Sequence, residues 1–143
     1  MEATFTIAGI RNDEVRVLTE PLADEYRASP TYDQVIADFG EVRPFINIRE
    51  AKARHIQALL GRFERYGLAV SANTWPGKVE RYTSLQAACD AGVAAEVANG
   101  EMYERLLGQT QREDILRVLR NLQEASQRSI PRLEVKSGSL GLA

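Results

Sequence analysis

Six polar residues occupy positions where predicted helices of this chain should face the protein interior. They are Glu25, Lys52, His55, Glu96, Ser126 and Ser129. Carboxylates and imidazole are ligands for non-haem iron and other divalent metals, so Glu25, His55 and Glu96 are candidate metal ligands. The ammonium of Lys52 at the same level could instead pair with the carboxylates in a buried network. The residue types therefore leave two chemistries open, a metal centre and an internal set of ion pairs.

Four amphipathic helices are expected to position these side chains. Apolar residues recur at steps of three and four over residues 21–39, 48–66, 84–107 and 111–133. Thr19 and Asn47 are the predicted N-caps of the first two helices. The inward lines place Glu25 on the first helix, Lys52 and His55 on the second, Glu96 on the third, and Ser126 and Ser129 on the fourth.

The connections between the helices predict an all-α, ferritin-like four-helix bundle. Short links make the first two helices, and the last two, antiparallel hairpins. The segment 68–82 lacks helical periodicity, and its fifteen residues can extend roughly 50 Å, enough to cross the length of the bundle. The bundle is expected to cover residues 19–135, after an N-terminal arm or small β-hairpin at 1–18 and before a flexible tail at 136–143.

Composition restricts the setting and the partners. The 143 residues suit one domain, and a net charge of −2 lacks the basic excess typical of nucleic-acid binding. Cys89 is the only cysteine, so it is expected to be a core residue rather than part of an internal disulfide. No stretch is apolar enough for a membrane span or a secretory signal, which predicts a cytoplasmic protein without a membrane partner.

Four short motifs resemble the small bacterial ferritin-like proteins related to rubrerythrin. These motifs are DEYRA at 24–28, FGEVRPF at 39–45, ARH at 53–55 and NLQEAS at 121–126. The resemblance extends over residues 22–133 and implies a non-haem di-iron or other metal centre that serves iron oxidation, peroxide reduction or oxygen chemistry. Ferritin-like subunits commonly pair, so the resemblance also implies a homodimer.

The ligand set implied by this resemblance is incomplete. The complete set has one Glu from each of two helices and Glu-x-x-His from each of the other two. Glu25, His55 and Glu96 match it, but Lys52 stands where a bridging Glu is expected and Ser129 stands where His is common. Lys52 and a protonated His55 would balance the two carboxylates without metal. We therefore expect an internal network, with a single weakly bound divalent metal, iron if any, or a two-metal site as alternatives.

The C-terminal segment suggests a further partner. Residues 137–141, SGSLG, resemble the Gly-Ser-Leu core of peptides that direct cargo proteins into encapsulin shells. The leading functional hypothesis is a ferritin-like protein of an iron- and oxygen-handling lineage with a depleted metal site. The alternatives are a metal-free structural or interaction module, including encapsulin cargo, and an oxidoreductase with one weak or intersubunit metal site. Enzymatic activity is left open.

Overall fold

Four long helices account for most of the computed structural model, which describes residues 9–141. They are α1 (Asn12–Phe39), α2 (Phe45–Arg65), α3 (Leu85–Leu107) and α4 (Glu113–Gly141). α1 packs against α2 and α3 against α4, and contacts of α1 with α3 and of α2 with α4 close the bundle. The predicted all-α bundle of two hairpins is confirmed.

A long crossover joins the two hairpins. Residues 66–84 contain no helix and run along α1, where the Asn73 side-chain amide donates to the Tyr26 carbonyl at 2.9 Å. Further along, Arg81 forms a two-pronged ion pair with Asp38, close to the C-terminal end of α1. The crossover therefore travels back along the bundle, so that α3 starts at the end where α2 starts. This is the predicted connection.

The first helix is longer than its sequence pattern indicates. α1 begins at Asn12, so Thr19 lies inside the helix and is not its N-cap. The sequence predicts an arm or small β-hairpin over residues 1–18, whereas residues 12–18 are helical. Val17 and Leu18 are fully buried in the core, and this packing outweighs the β-preference of valine. Residues 1–8 of that predicted arm or hairpin lie outside the described residues.

The other helices also differ from prediction at their ends. α2 begins at Phe45, which leaves Asn47 inside it, and α4 continues through Pro131 to Gly141. A flexible tail is predicted from residue 136, but residues 136–141 are helical. Ser137 donates a hydrogen bond to Asp90 on α3 at 2.8 Å, and Leu140 packs against the core. These contacts offset the low helix propensity of the Gly- and Ser-rich segment.

Two apolar clusters fill opposite ends of the bundle interior. One contains Leu18, Leu22, Leu59, Phe63, Tyr103, Leu106 and Leu119, and the other contains Tyr32, Val35, Phe45, Ile48, Cys89 and Leu133. Cys89 is fully buried, as expected of a core residue. Across residues 9–141, every helix is too short or too polar to cross a membrane. The level between the two clusters is polar, and it contains the candidate site.

Candidate functional site

Three charged side chains meet in the middle of the bundle. Glu25 comes from α1, Lys52 from α2 and Glu96 from α3, and none exposes more than 2% of its surface. Each occupies an inward position within a mostly apolar helical line, so the amphipathic pattern of its helix places it at the centre. Burial at this depth is costly for a charge unless it has a close partner. The groups that contact these three side chains therefore determine how their charges are stabilised.

Lys52 bridges the two carboxylates. Its Nζ atom lies 3.5 Å from Glu25 Oε1, 3.1 Å from Glu96 Oε1 and 3.3 Å from Glu96 Oε2. One ammonium thus contacts carboxylates from two helices that belong to different hairpins. The two hairpins are joined at this level by charge as well as by apolar packing.

His55 lies one helical turn after Lys52, at the edge of the network. Its Nδ1 atom is 3.2 Å from Glu25 Oε2, and 12% of its side chain is exposed. Because an ionised carboxylate can only accept hydrogen bonds, this contact requires the proton to reside on Nδ1. His55 thus donates to Glu25 in either its neutral or its charged form.

These contacts determine the protonation states of the buried groups. Burial raises the pKa of Glu25, but the charge of Lys52 and the hydrogen bond from His55 outweigh it and lower that pKa to about 2. Burial lowers the pKa of Lys52, and the charges of Glu25 and Glu96 overcome this effect so that the pKa lies above its usual value. At neutral pH, Glu25 and Lys52 are therefore an ion pair rather than a neutral acid and amine.

Neutral donors that are not among the six predicted site residues complete the network. Tyr32 donates to Glu96 Oε1 at 2.9 Å, whereas Tyr103 and Asn99 donate to Glu25 Oε1 at 3.2 and 3.0 Å. All three occupy inward helical positions, which was the available signal, but tyrosine and asparagine at such positions could equally have been core residues. Together with Lys52 and His55, they give every carboxylate oxygen of the two glutamates at least one donor or ionic partner.

The two serines of α4 behave differently. Ser126 is buried, and its hydroxyl lies 2.8 Å from Glu96 Oε2 and also contacts the side-chain oxygen of Asn99. Ser129 donates instead to the carbonyl of Ala125 in its own helix at 3.1 Å. The structure therefore places Ser126 in the network, whereas the hydroxyl of Ser129 bonds within α4.

This arrangement separates the candidate metal ligand Glu96 from the other two, Glu25 and His55. His55 contacts Glu25, while Lys52 stands between Glu25 and Glu96. Among the residues that the structure describes, no three His, Cys, Asp or Glu side chains are grouped closely enough to hold a metal ion. The quartet of Glu25, Lys52, His55 and Glu96 comes together as an ion-pair network instead.

Comparison with known proteins supports the fold but identifies no activity. No family model matches the chain, and no curated protein matches it. Among solved structures, the chain is similar to a hypothetical protein, MJ0754, from Methanococcus jannaschii DSM 2661, with a TM-score of 0.82 and 20% sequence identity. The match covers 97% of this chain and 87% of that one. At this identity the likeness supports the shared fold alone.

Proposed function

We propose that this chain is a metal-independent, rubrerythrin-related ferritin-like bundle that acts as a structural or binding module rather than as a di-iron oxidoreductase. The observation that carries the proposal is the position of the Lys52 ammonium, which contacts both interior carboxylates. In the complete ferritin-like ligand set, cations that bridge such carboxylates are metal ions. Here a covalently attached cation makes the bridge.

The donor set does not fit a pair of divalent metals. Four carboxylates and two neutral imidazoles carry a charge of −4, which two divalent ions neutralise, whereas Glu25, Glu96 and Lys52 together carry −1. Lys52 would also repel an incoming metal ion at short range. Ser129, where a histidine is expected, offers a hydroxyl that is already bonded to Ala125. Charge and donor type therefore both oppose a di-metal centre.

The hydrogen bonds around the glutamates favour the same conclusion. Their oxygens already accept from Tyr32, Asn99, Tyr103 and Ser126 as well as facing Lys52 and His55. A metal ion would have to displace several of these donors and leave them buried without partners, which is unfavourable. A network that is saturated in this way stabilises one arrangement of the four helices.

Loading into an encapsulin shell receives less support from the structure. The segment proposed as a targeting peptide is the last part of α4, where Ser137 bonds Asp90 and also contacts Gln86, and Leu140 packs against the core. Recognition as a free peptide would require these contacts to break. We therefore propose a structural or binding role that does not depend on residues 137–141.

Metal analysis tests the proposal directly. We would purify the protein without chelator, measure its metal content, and titrate it anaerobically with Fe(II) before exposure to oxygen. Wild type should hold well under two metal ions per chain and show negligible iron oxidation. Lys52→Glu changes +1 to −1 and creates Glu-x-x-His on α2, so its affinity for Fe(II) should rise, and Lys52→Glu with Ser129→His should raise it further.

Lys78→Glu is the matched control, because it makes the same charge reversal at an exposed position in the crossover. It should leave Fe(II) binding as in wild type. Two tightly bound irons in wild type would overturn the proposal. So would equal Fe(II) affinities of wild type and a folded Lys52→Glu variant, since the charge of Lys52 would then have no influence on metal binding.

A further inference from the structure

A cavity of about 270 Å³ lies beside the buried network, between α1, α3 and the crossover. Lys52, Glu96 and Asn99 line its inner end, where the network begins. The crossover contributes Trp75 and Tyr82 to its outer wall. The interior charges of this protein are thus connected to a space large enough for a small molecule.

Small side chains on α3 make room for this cavity. Ala88, Ala91, Gly92 and Ala95 line it, and each has at most one side-chain carbon. The crossover then covers the space, and it contacts α1 through the hydrogen bond from Asn73 to Tyr26 and through the Arg81 and Asp38 pair. The cavity therefore results from the long connection as well as from the helices.

Four of the residues that line the cavity are aromatic. Tyr32 and Phe45 approach from the helices, and Trp75 and Tyr82 approach from the crossover. The faces of such rings attract cations, and the attraction grows when water is excluded. They also provide apolar contact for a carbon skeleton. These walls suit a ligand that has an apolar body and a positive charge.

The charged residues around the cavity also favour a positively charged ligand. Among the lining residues, three carboxylates, Asp24, Glu80 and Glu96, outnumber the two cations, Arg27 and Lys52. The charges of these five lining residues sum to −1. An anionic ligand would therefore enter a region that is already negative, whereas a cation would compensate it.

We propose that this cavity is a binding site for a small organic cation, namely a primary amine on an aromatic or aliphatic body. Its volume corresponds to about nine water molecules, which limits the ligand to a similar number of heavy atoms. The proposal gives the binding module a ligand class, and it rests on the proposed function in one respect: Lys52, and not a metal ion, is the interior cation that enters the charge count.

The test uses Trp75, the single tryptophan of the chain, as its reporter. We would titrate the full-length protein at neutral pH, in the presence of a chelator, with three probes of nearly equal size: phenethylamine, 2-phenylethanol and phenylacetate. Binding is followed by Trp75 fluorescence and by calorimetry. A ligand of this size should bind with a Kd on the order of 1 mM or tighter. The amine should bind about tenfold more tightly than the neutral alcohol, and the acid more weakly than either.

Three variants test where the amine binds and whether its binding depends on charge. Ala91→Phe fills the cavity and should abolish the amine response, whereas Ala94→Phe makes the same change at an exposed position of α3 that does not line the cavity and should preserve it. Glu80→Gln removes one exposed carboxylate of the crossover without disturbing the interior. It should weaken amine binding about two- to fivefold while leaving alcohol binding unchanged. Circular dichroism establishes that each variant is folded.

Each negative result contradicts a specific part of the proposal. If none of the three probes binds, or if a folded Ala91→Phe variant binds the amine as wild type does, the cavity is not the site. If the alcohol or the acid binds as tightly as the amine, the ligand class is wrong. Because a chelator is present throughout, these results are independent of the Fe(II) titration. A finding that wild type binds two irons would overturn the proposed function without altering the outcome of the amine test.

Discussion

Two polar clusters of this bundle use similar residue types in different surroundings. At the centre, Glu25 faces Lys52 and accepts a hydrogen bond from Tyr103. Near the end of the bundle where α2 finishes, Asp114 faces Arg62 at 2.9 Å and accepts a hydrogen bond from Tyr66 at 2.8 Å. Both sets join a carboxylate, a cation and a tyrosine across helices. They differ in access to water, since the side chain of Glu25 is fully buried and that of Asp114 is 17% exposed.

This difference changes what each partner contributes. Water can take the place of a missing cation at Asp114, where Arg65 also lies within 3.6 Å. No solvent reaches Glu25, so the loss of Lys52 would leave its carboxylate with hydrogen-bond donors but without the ammonium that balances its charge. The pKa of Asp114 is raised by burial but lowered overall by Tyr66 and Arg62, which is the same balance as at Glu25. Comparable contacts should therefore contribute unequally to the free energy of unfolding, with the larger contribution at the centre.

The largest expected effect is that of Lys52→Met. It leaves Glu25 and Glu96 facing each other without a cation and should lower the free energy of unfolding by about 3–5 kcal/mol, measured by urea denaturation at neutral pH. Adding Glu25→Gln and Glu96→Gln removes the unpaired charges and should recover much of the loss. A Lys52→Met variant as stable as wild type would contradict the larger contribution of the central cluster, because the central ammonium would then be dispensable.

Acid should destabilise the protein through Glu25. Its pKa is about 2 in the folded state against 4.5 for the free side chain, so the unfolded chain takes up the proton first as pH falls. The stabilisation is complete above pH 4.5 and is lost as the pH falls towards 2, with a total near 3 kcal/mol. Urea denaturation across this range should show it. The slope should be shallower in Glu25→Gln, and equal slopes in the two proteins would contradict the assignment to Glu25.

Replacing the carboxylate of the outer cluster should have a smaller effect. Asp114→Asn retains the shape of the side chain but removes the charge that faces Arg62 and Arg65, and it should cost about 1 kcal/mol. Urea denaturation in low and in high salt is the appropriate measurement, because salt should reduce the cost at this partly exposed site. A cost equal to that of Lys52→Met would show that burial does not separate the two clusters.

The smallest effect is expected at the surface of the crossover. Arg81→Gln breaks the ion pair with Asp38, in which the arginine side chain is 69% exposed. The midpoint of thermal unfolding should remain that of wild type, because water and salt compensate an exposed pair. Differential scanning calorimetry would detect a change. A clear decrease in the midpoint would indicate that this pair holds the crossover over the cavity, and amine binding in the variant would then be the sharper measurement.

Periodicity predicted more of the central network than of the helix ends. Glu25, Lys52 and Glu96 each interrupt an apolar line, and helical geometry alone places such residues inside. Tyr32, Asn99 and Tyr103 occupy the same lines, but these residue types serve equally as core or as hydrogen-bond donors. Their role depends on which carboxylate lies opposite them, and that follows from how the helices are aligned. Sequence spacing within a single helix holds no information about that alignment.

The sequence by itself determined four helices, two hairpins, a long crossover and a buried level that mixes charges of both signs. Only the tertiary structure decided that Lys52 joins both glutamates, that Ser129 bonds within its own helix, and that residues 12–18 and 136–141 are helical. Spacing along a helix follows from local backbone geometry, which is the same at every residue of the helix. The choice of partner and the extent of a helix end depend on long-range packing, where contacts such as those of Val17 and Leu140 outweigh weak local preferences.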